Sequence, residues 1–146
     1  MERDAFLKLW NDAWNEGLWA AAWSKSVEGL DAQQAAWQPA PDRHSIWQNV
    51  SHIIFWRQNE LNRLAGRPPA NEAQVAAGNF PRPKDVTPVA WNATLAELRR
   101  TQDDVARRIA DPATSLERLQ YLLPHDCYHM GQINYLRALQ GLKAIE

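Results

Sequence analysis

The chain has 146 residues, enough for one domain around a single core, and its 45% hydrophobic and 23% charged composition excludes a disordered chain. Sixteen basic against seventeen acidic residues leave a net charge of −1 with no basic run, so nucleic-acid binding has no electrostatic support. The single cysteine, Cys127, rules out an intramolecular disulfide, no apolar run approaches the roughly 20 residues of a membrane span, and the Met1-Glu2-Arg3-Asp4 start lacks a secretion signal; a cytoplasmic, membrane-free protein is expected.

A first helix is predicted from about Arg3 to Glu28. Phe6, Trp10, Ala13, Gly17 and Ala21 recur at three- and four-residue steps, and Gly29 is the stop. Residues 30–44 hold Pro39 and Pro41 and form a connection. A second helix starts at Ser45, where Ser45-Ile46-Trp47-Gln48 makes a capping box, and ends at Gly66. Its apolar stripe is Ile46, Val50, Ile53, Leu61 and Leu64. Residues 67–87, with four prolines, read as a long irregular crossover or lid. Thr87-Pro88 opens a third helix with Trp91, Leu95, Leu98, Val105 and Ile109 inward, and Asp111-Pro112 ends it. Thr114-Ser115-Leu116-Glu117 reads as a second capping box, opening a fourth helix that runs to about Gln140. Pro124 kinks that helix or marks its regular start. No strand alternation occurs, so the expected fold is all-α, one four-helix bundle over 1–146 with a long crossover between helices 2 and 3. The eight tryptophans are expected mainly in the core, although an apolar, Trp-rich first helix also suits a homodimer.

Three of the four histidines can converge. His125 and His129 stand four residues apart, on the helical face shared by Leu122, Ile133 and Leu136. His52 belongs to a partly polar stripe of the second helix with Ser45, Asn49, Trp56 and Asn59, which suits a cleft between helices. Three imidazoles leave coordination positions open, as catalytic rather than structural metal sites do, and they accept zinc, nickel, copper or iron alike. Cys127 falls on the far side of its helix, where it is expected as a plain packed residue. His44 lies about 12 Å along the helix from His52, too far to join one coordination sphere, and is placed at the cleft mouth or the surface. Asn49, Tyr121, Asp126 and Gln132 are candidate hydrogen-bond partners of the ligands or substrate.

The run from Pro39 to Ile53, with Arg43-His44-Ser45-Ile46-Trp47 and Asn49-Val50-Ser51-His52, resembles the loop and second helix of the DinB-like (DinB/YfiT) superfamily. Leu123-Pro124-His125, then His129-Met130-Gly131-Gln132-Ile133, is similar to its fourth-helix signature, and the order and separation of the two motifs match. Where the family often has tryptophan before the serine, this chain has His44. The resemblance implies up-down-down-up connectivity, frequent dimers, and a divalent metal (zinc or nickel first, iron or manganese next) on His52, His125 and His129. It also implies, for some members, transfer reactions of low-molecular-weight thiols such as glutathione, mycothiol or bacillithiol.

Three functions follow as expectations. In the first, a metal-held thiol attacks an electrophile. In the second, a metal-held water hydrolyses a substrate with Glu60 or Asp126 as base. In the third, a stress-response binding protein keeps a structural metal and does no chemistry.

Overall fold

The computed structural model describes residues 1–145, and its described residues are helical with no strand. Helices α1 (Arg3–Asn15), α4 (Ile46–Leu64), α6 (Pro88–Ala110) and α7 (Leu122–Leu139) are long. Helices α2 (Trp23–Ser26), α3 (Ala32–Ala36) and α5 (Glu72–Gly78) are short, and a 3-10 turn spans Leu119–Tyr121. Among the described residues no helix is long and apolar enough to cross a membrane.

Helices α4 and α6 form where the sequence places them, and for the expected reasons. The Ser45 hydroxyl accepts from the Gln48 amide at 3.1 Å while the Gln48 side chain accepts from the Ser45 amide at 3.0 Å. Thr87 caps α6 through the Ala90 amide, with Pro88 at the first helical position.

Three expectations are corrected. The first helix does not reach Glu28 but stops at Asn15. Gly17 adopts φ +86°, and its N–H closes the helix end on the Asp12 carbonyl at 2.7 Å. A Cβ at Gly17 would collide with the Ala20 carbonyl oxygen, so this turn requires glycine. The crossover 67–87 is not wholly irregular: Asn71 and Gln74 form a capping box that nucleates α5. The fourth helix does not open at Thr114. Asp111 organises that segment instead, its carboxylate accepting from the Ala113 amide at 2.9 Å and its carbonyl from the Thr114 amide at 3.0 Å. Regular α7 begins at Leu122 and puts Pro124 in its first turn, where a missing N–H costs nothing.

Three helix seams run through the core. Early residues of α1 meet late residues of α6: Arg3 donates to the Ile109 carbonyl, and Trp10 and Gln102 exchange hydrogen bonds at 3.1 and 3.2 Å. In α4 and α6 the early residues meet each other, with Trp47 donating to Thr94 and Arg57 reaching the Leu98 carbonyl. Helix α4 meets α7 in the reverse sense, Asn49 with His129 and Arg57 with Asp126. Phe6, Trp10, Trp91, Leu98, Val105 and Ile133 are fully buried or nearly so. Trp10, Trp14 and Trp23 fill this core, whereas Trp19, at φ 62°, is fully exposed in the α1–α2 turn.

Candidate metal centre

The α4–α7 seam brings the three histidines together. His52 sits mid-way along α4, and His125 and His129 lie one turn apart near the start of α7. One ring nitrogen from each lies within 4.8 Å of the others, and His52 Nε2 and His125 Nε2 are 3.0 Å apart.

The second nitrogen of each ring is held by an oxygen acceptor. His52 Nδ1 faces the Asn79 carbonyl at 2.9 Å, and His125 Nδ1 faces Asp126 Oδ1 at 2.8 Å. His129 Nδ1 faces Gln132 Oε1 at 2.7 Å and Asn49 Oδ1 at 3.2 Å. Acceptors at Nδ1 make that atom the donor, so the Nε2 atoms carry lone pairs. Two lone pairs pointing at each other across 3.0 Å repel unless a cation lies between them. Ring nitrogens held about 2.0–2.1 Å from a shared ion stand about 3.3 Å apart in tetrahedral geometry, close to the spacing here. The donor set and its outer hydrogen bonds therefore fit a divalent metal bound by Nε2 atoms.

Electrostatics favour the neutral, coordinating form of two of these rings, His52 and His129. Burial, then the neighbouring His129, pushes the His52 pKa down to about 4. Burial, then His125, lowers that of His129.

Asp126, beside His125 in sequence, points into the core and is fully buried. The Arg57 guanidinium donates to its Oδ2 at 2.7 Å, and Arg57 is also fully buried. That guanidinium lies 4.8 Å from the centre of the Trp10 ring and 5.5 Å from that of Trp23. Arg57, Asp126 and His125 thus form a chain from the core to the centre. Arg57 was missed in sequence, yet its signal was present: it follows Ile53 by four residues and precedes Leu61 by four, on the buried stripe of α4. An arginine there requires a buried acid.

Asn79 and Phe80, also missed, come from the crossover. The Phe80 ring stacks on His52 at 4.0 Å and on His44 at 3.8 Å. His44 therefore stands at the mouth of the site, outside the histidine cluster. Trp56 meets His52 edge-on and donates to the Asn79 side chain at 2.9 Å.

The remaining candidates separate. Asn49, Gln132 and Asp126 contact the ligand rings as expected. Tyr121 is exposed and contacts no ligand nitrogen; it lines a small cleft of about 280 Å³ beside His125 with Trp56, Glu60 and Arg118. Cys127 does face away from the histidines, but it is exposed rather than packed. Glu60 accepts from Arg118 at 2.9 Å and Arg63 at 3.1 Å. Burial raises its pKa, and these two arginines together outweigh burial and lower it.

The DinB superfamily sequence model matches residues 16–133, a span that includes all three histidines. The chain belongs to the DinB superfamily. No curated protein and no solved structure matches it. The match spans the histidine cluster, and it does not specify a reaction.

Proposed function

We propose that this DinB-superfamily protein is a metal-dependent thiol S-transferase on an up-down-down-up four-helix bundle, with His52, His125 and His129 as ligands of zinc or nickel. The connectivity is supported by the pairings Trp10–Gln102, Trp47–Thr94 and Asn49–His129, which orient α1 against α6, α4 alongside α6 and α4 against α7. The observation carrying the function is that three outward-anchored imidazoles converge while, among the described residues, no carboxylate near them is free. Asp126 is committed to His125 and Arg57, and Glu60 to two arginines, so the hydrolytic reading lacks its general base. Thiol transfer needs no such base once the thiol is ionised.

When bound, the metal supplies Lewis acidity that lowers the pKa of a thiol held at an open position. The chain supplies the rest. Asn79, Asp126, Asn49 and Gln132 fix ring orientation, and Phe80 covers the crossover side of His52. In the transfer the thiolate sulfur forms a bond to an electrophilic carbon, the leaving group departs with its electron pair, and the thiol proton passes to solvent.

The test combines metal analysis with catalysis on tag-free protein. Near-stoichiometric zinc or nickel is expected in the wild type and little in His129→Ala. Metal-loaded protein is expected to accelerate conjugation of glutathione, mycothiol or bacillithiol to chlorodinitrobenzene, with release of chloride, and chelation is expected to abolish the gain. Stoichiometric metal with no acceleration by any of the three thiols would overturn the transferase reading.

A further inference from the structure

Beside the histidine cluster, on the side away from Asp126, a cleft of about 730 Å³ opens between residues 39–44 and α7. Its volume lies within the range of small-molecule sites, roughly 300–1,000 Å³. Its walls are mostly apolar: Pro39 and Ala40 on one side, Leu136, Leu139 and the rings of Tyr128 and Tyr135 on the other. Its polar groups are Arg43 and His44 on the loop side and, on the helices, Asn49 and Gln132, the two side chains that hold His129 Nδ1. Gln132 also donates to the Tyr128 hydroxyl at 3.3 Å, joining the wall of the cleft to the histidine.

Gly131 lies on this cleft, inside α7. Glycine weakens a helix interior relative to alanine. No close packing among the described residues requires it here: a Cβ at Gly131 would meet no atom within 4 Å, whereas one at Gly78 would strike the Phe55 ring at 2.5 Å. The space before Gly131 is open to the cleft. Tyr128 and Tyr135, three residues before and four after it, flank that space with two rings on one helix face.

We infer that this cleft binds the planar aromatic body of the second substrate, with Gly131 setting its depth and the reacting end lying toward Asn49 and Gln132. That this ligand is the electrophile rests on the thiol-transferase reading; that the cleft takes a flat apolar molecule does not.

The test uses anilinonaphthalene sulfonate, a planar aromatic probe whose fluorescence rises in apolar sites. The full chain is compared with Gly131→Leu and with Tyr135→Ala, the latter at an exposed position that removes one wall and serves if the leucine disturbs folding. Saturable binding of one probe per chain is expected, weakened at least tenfold in Gly131→Leu and several-fold in Tyr135→Ala, with metal content and melting temperature retained. Unchanged probe affinity in both variants would overturn the inference. So would sedimentation showing that either variant dissociates an oligomer while probe binding persists, because the cleft would then belong to a second copy of the chain. Probe binding needs no metal, so a wild type that binds the probe at this cleft but takes up no zinc or nickel refutes the proposed function alone.

Discussion

The α1–α6 and α4–α7 seams cross the same core but are built from different chemistry. Between α1 and α6 the contact is apolar bulk, with Trp10 fully buried and a reciprocal hydrogen bond to Gln102. Between α4 and α7 the seam carries three histidines, Asn49, Arg57 and Asp126, each tied to a partner. Burying polar groups adds little net stability even when each is paired, whereas burying tryptophan adds a great deal. The first seam holds the fold together, and the second spends part of that stability on a site.

Experiments can break this contrast. The largest effect is expected from Asp126→Asn, which leaves the Arg57 cation buried without its counter-charge. Stability is expected to drop by about 3–5 kcal/mol, with metal affinity weakened about 10–100-fold through His125. Denaturant unfolding and metal titration measure the two losses, and retention of either would disconnect Arg57 and Asp126 from the centre. Ile109→Ala, at a fully buried position of α6, is expected to cost about 2–5 kcal/mol by leaving a cavity, yet the folded protein should bind metal as tightly as wild type. If metal affinity falls as well, the two seams are not independent.

The third effect is a pH dependence confined to the α4–α7 seam. His52 binds fewer protons folded than unfolded, because its pKa falls from 6.5 to about 4 on folding. Metal-free protein should therefore lose stability as pH falls from about 6.5 toward 4, and this contribution should be flat above about 7. His52→Leu should reduce that slope to the share that His129 contributes, and Ile109→Ala should shift the whole curve without changing its shape. Thermal melts at several pH values would show whether the full slope survives in His52→Leu, which would assign it elsewhere.

Much of this arrangement is legible in the sequence because it is local. Ser45 and Gln48 announce α4, Thr87-Pro88 announces α6, and the four-residue step from His125 to His129 places two rings on one face without further information. What fails is where several local signals compete. The apolar spacing through Gly17 and Ala21 favours continued helix, but the left-handed backbone of Gly17 breaks it. Thr114–Glu117 has the letters of a capping box, yet Asp111 captures the nearby amides first and Pro124 sets the true start. The supporting partners of the site are harder still. Asn79 and Phe80 reach His52 only because the crossover returns over α4, and Arg57 meets Asp126 across 69 positions of sequence. A pattern on one helix can signal that a partner is required without identifying it.

The Arg57–Asp126 pair also fixes the electrical balance of the centre. Because the carboxylate behind His125 is matched by a guanidinium, the buried pair adds no net charge beside the histidine cluster. A dication held there keeps its full double charge, and a vacant coordination position then discriminates by sign: it draws thiolate or hydroxide in preference to neutral donors of the same size.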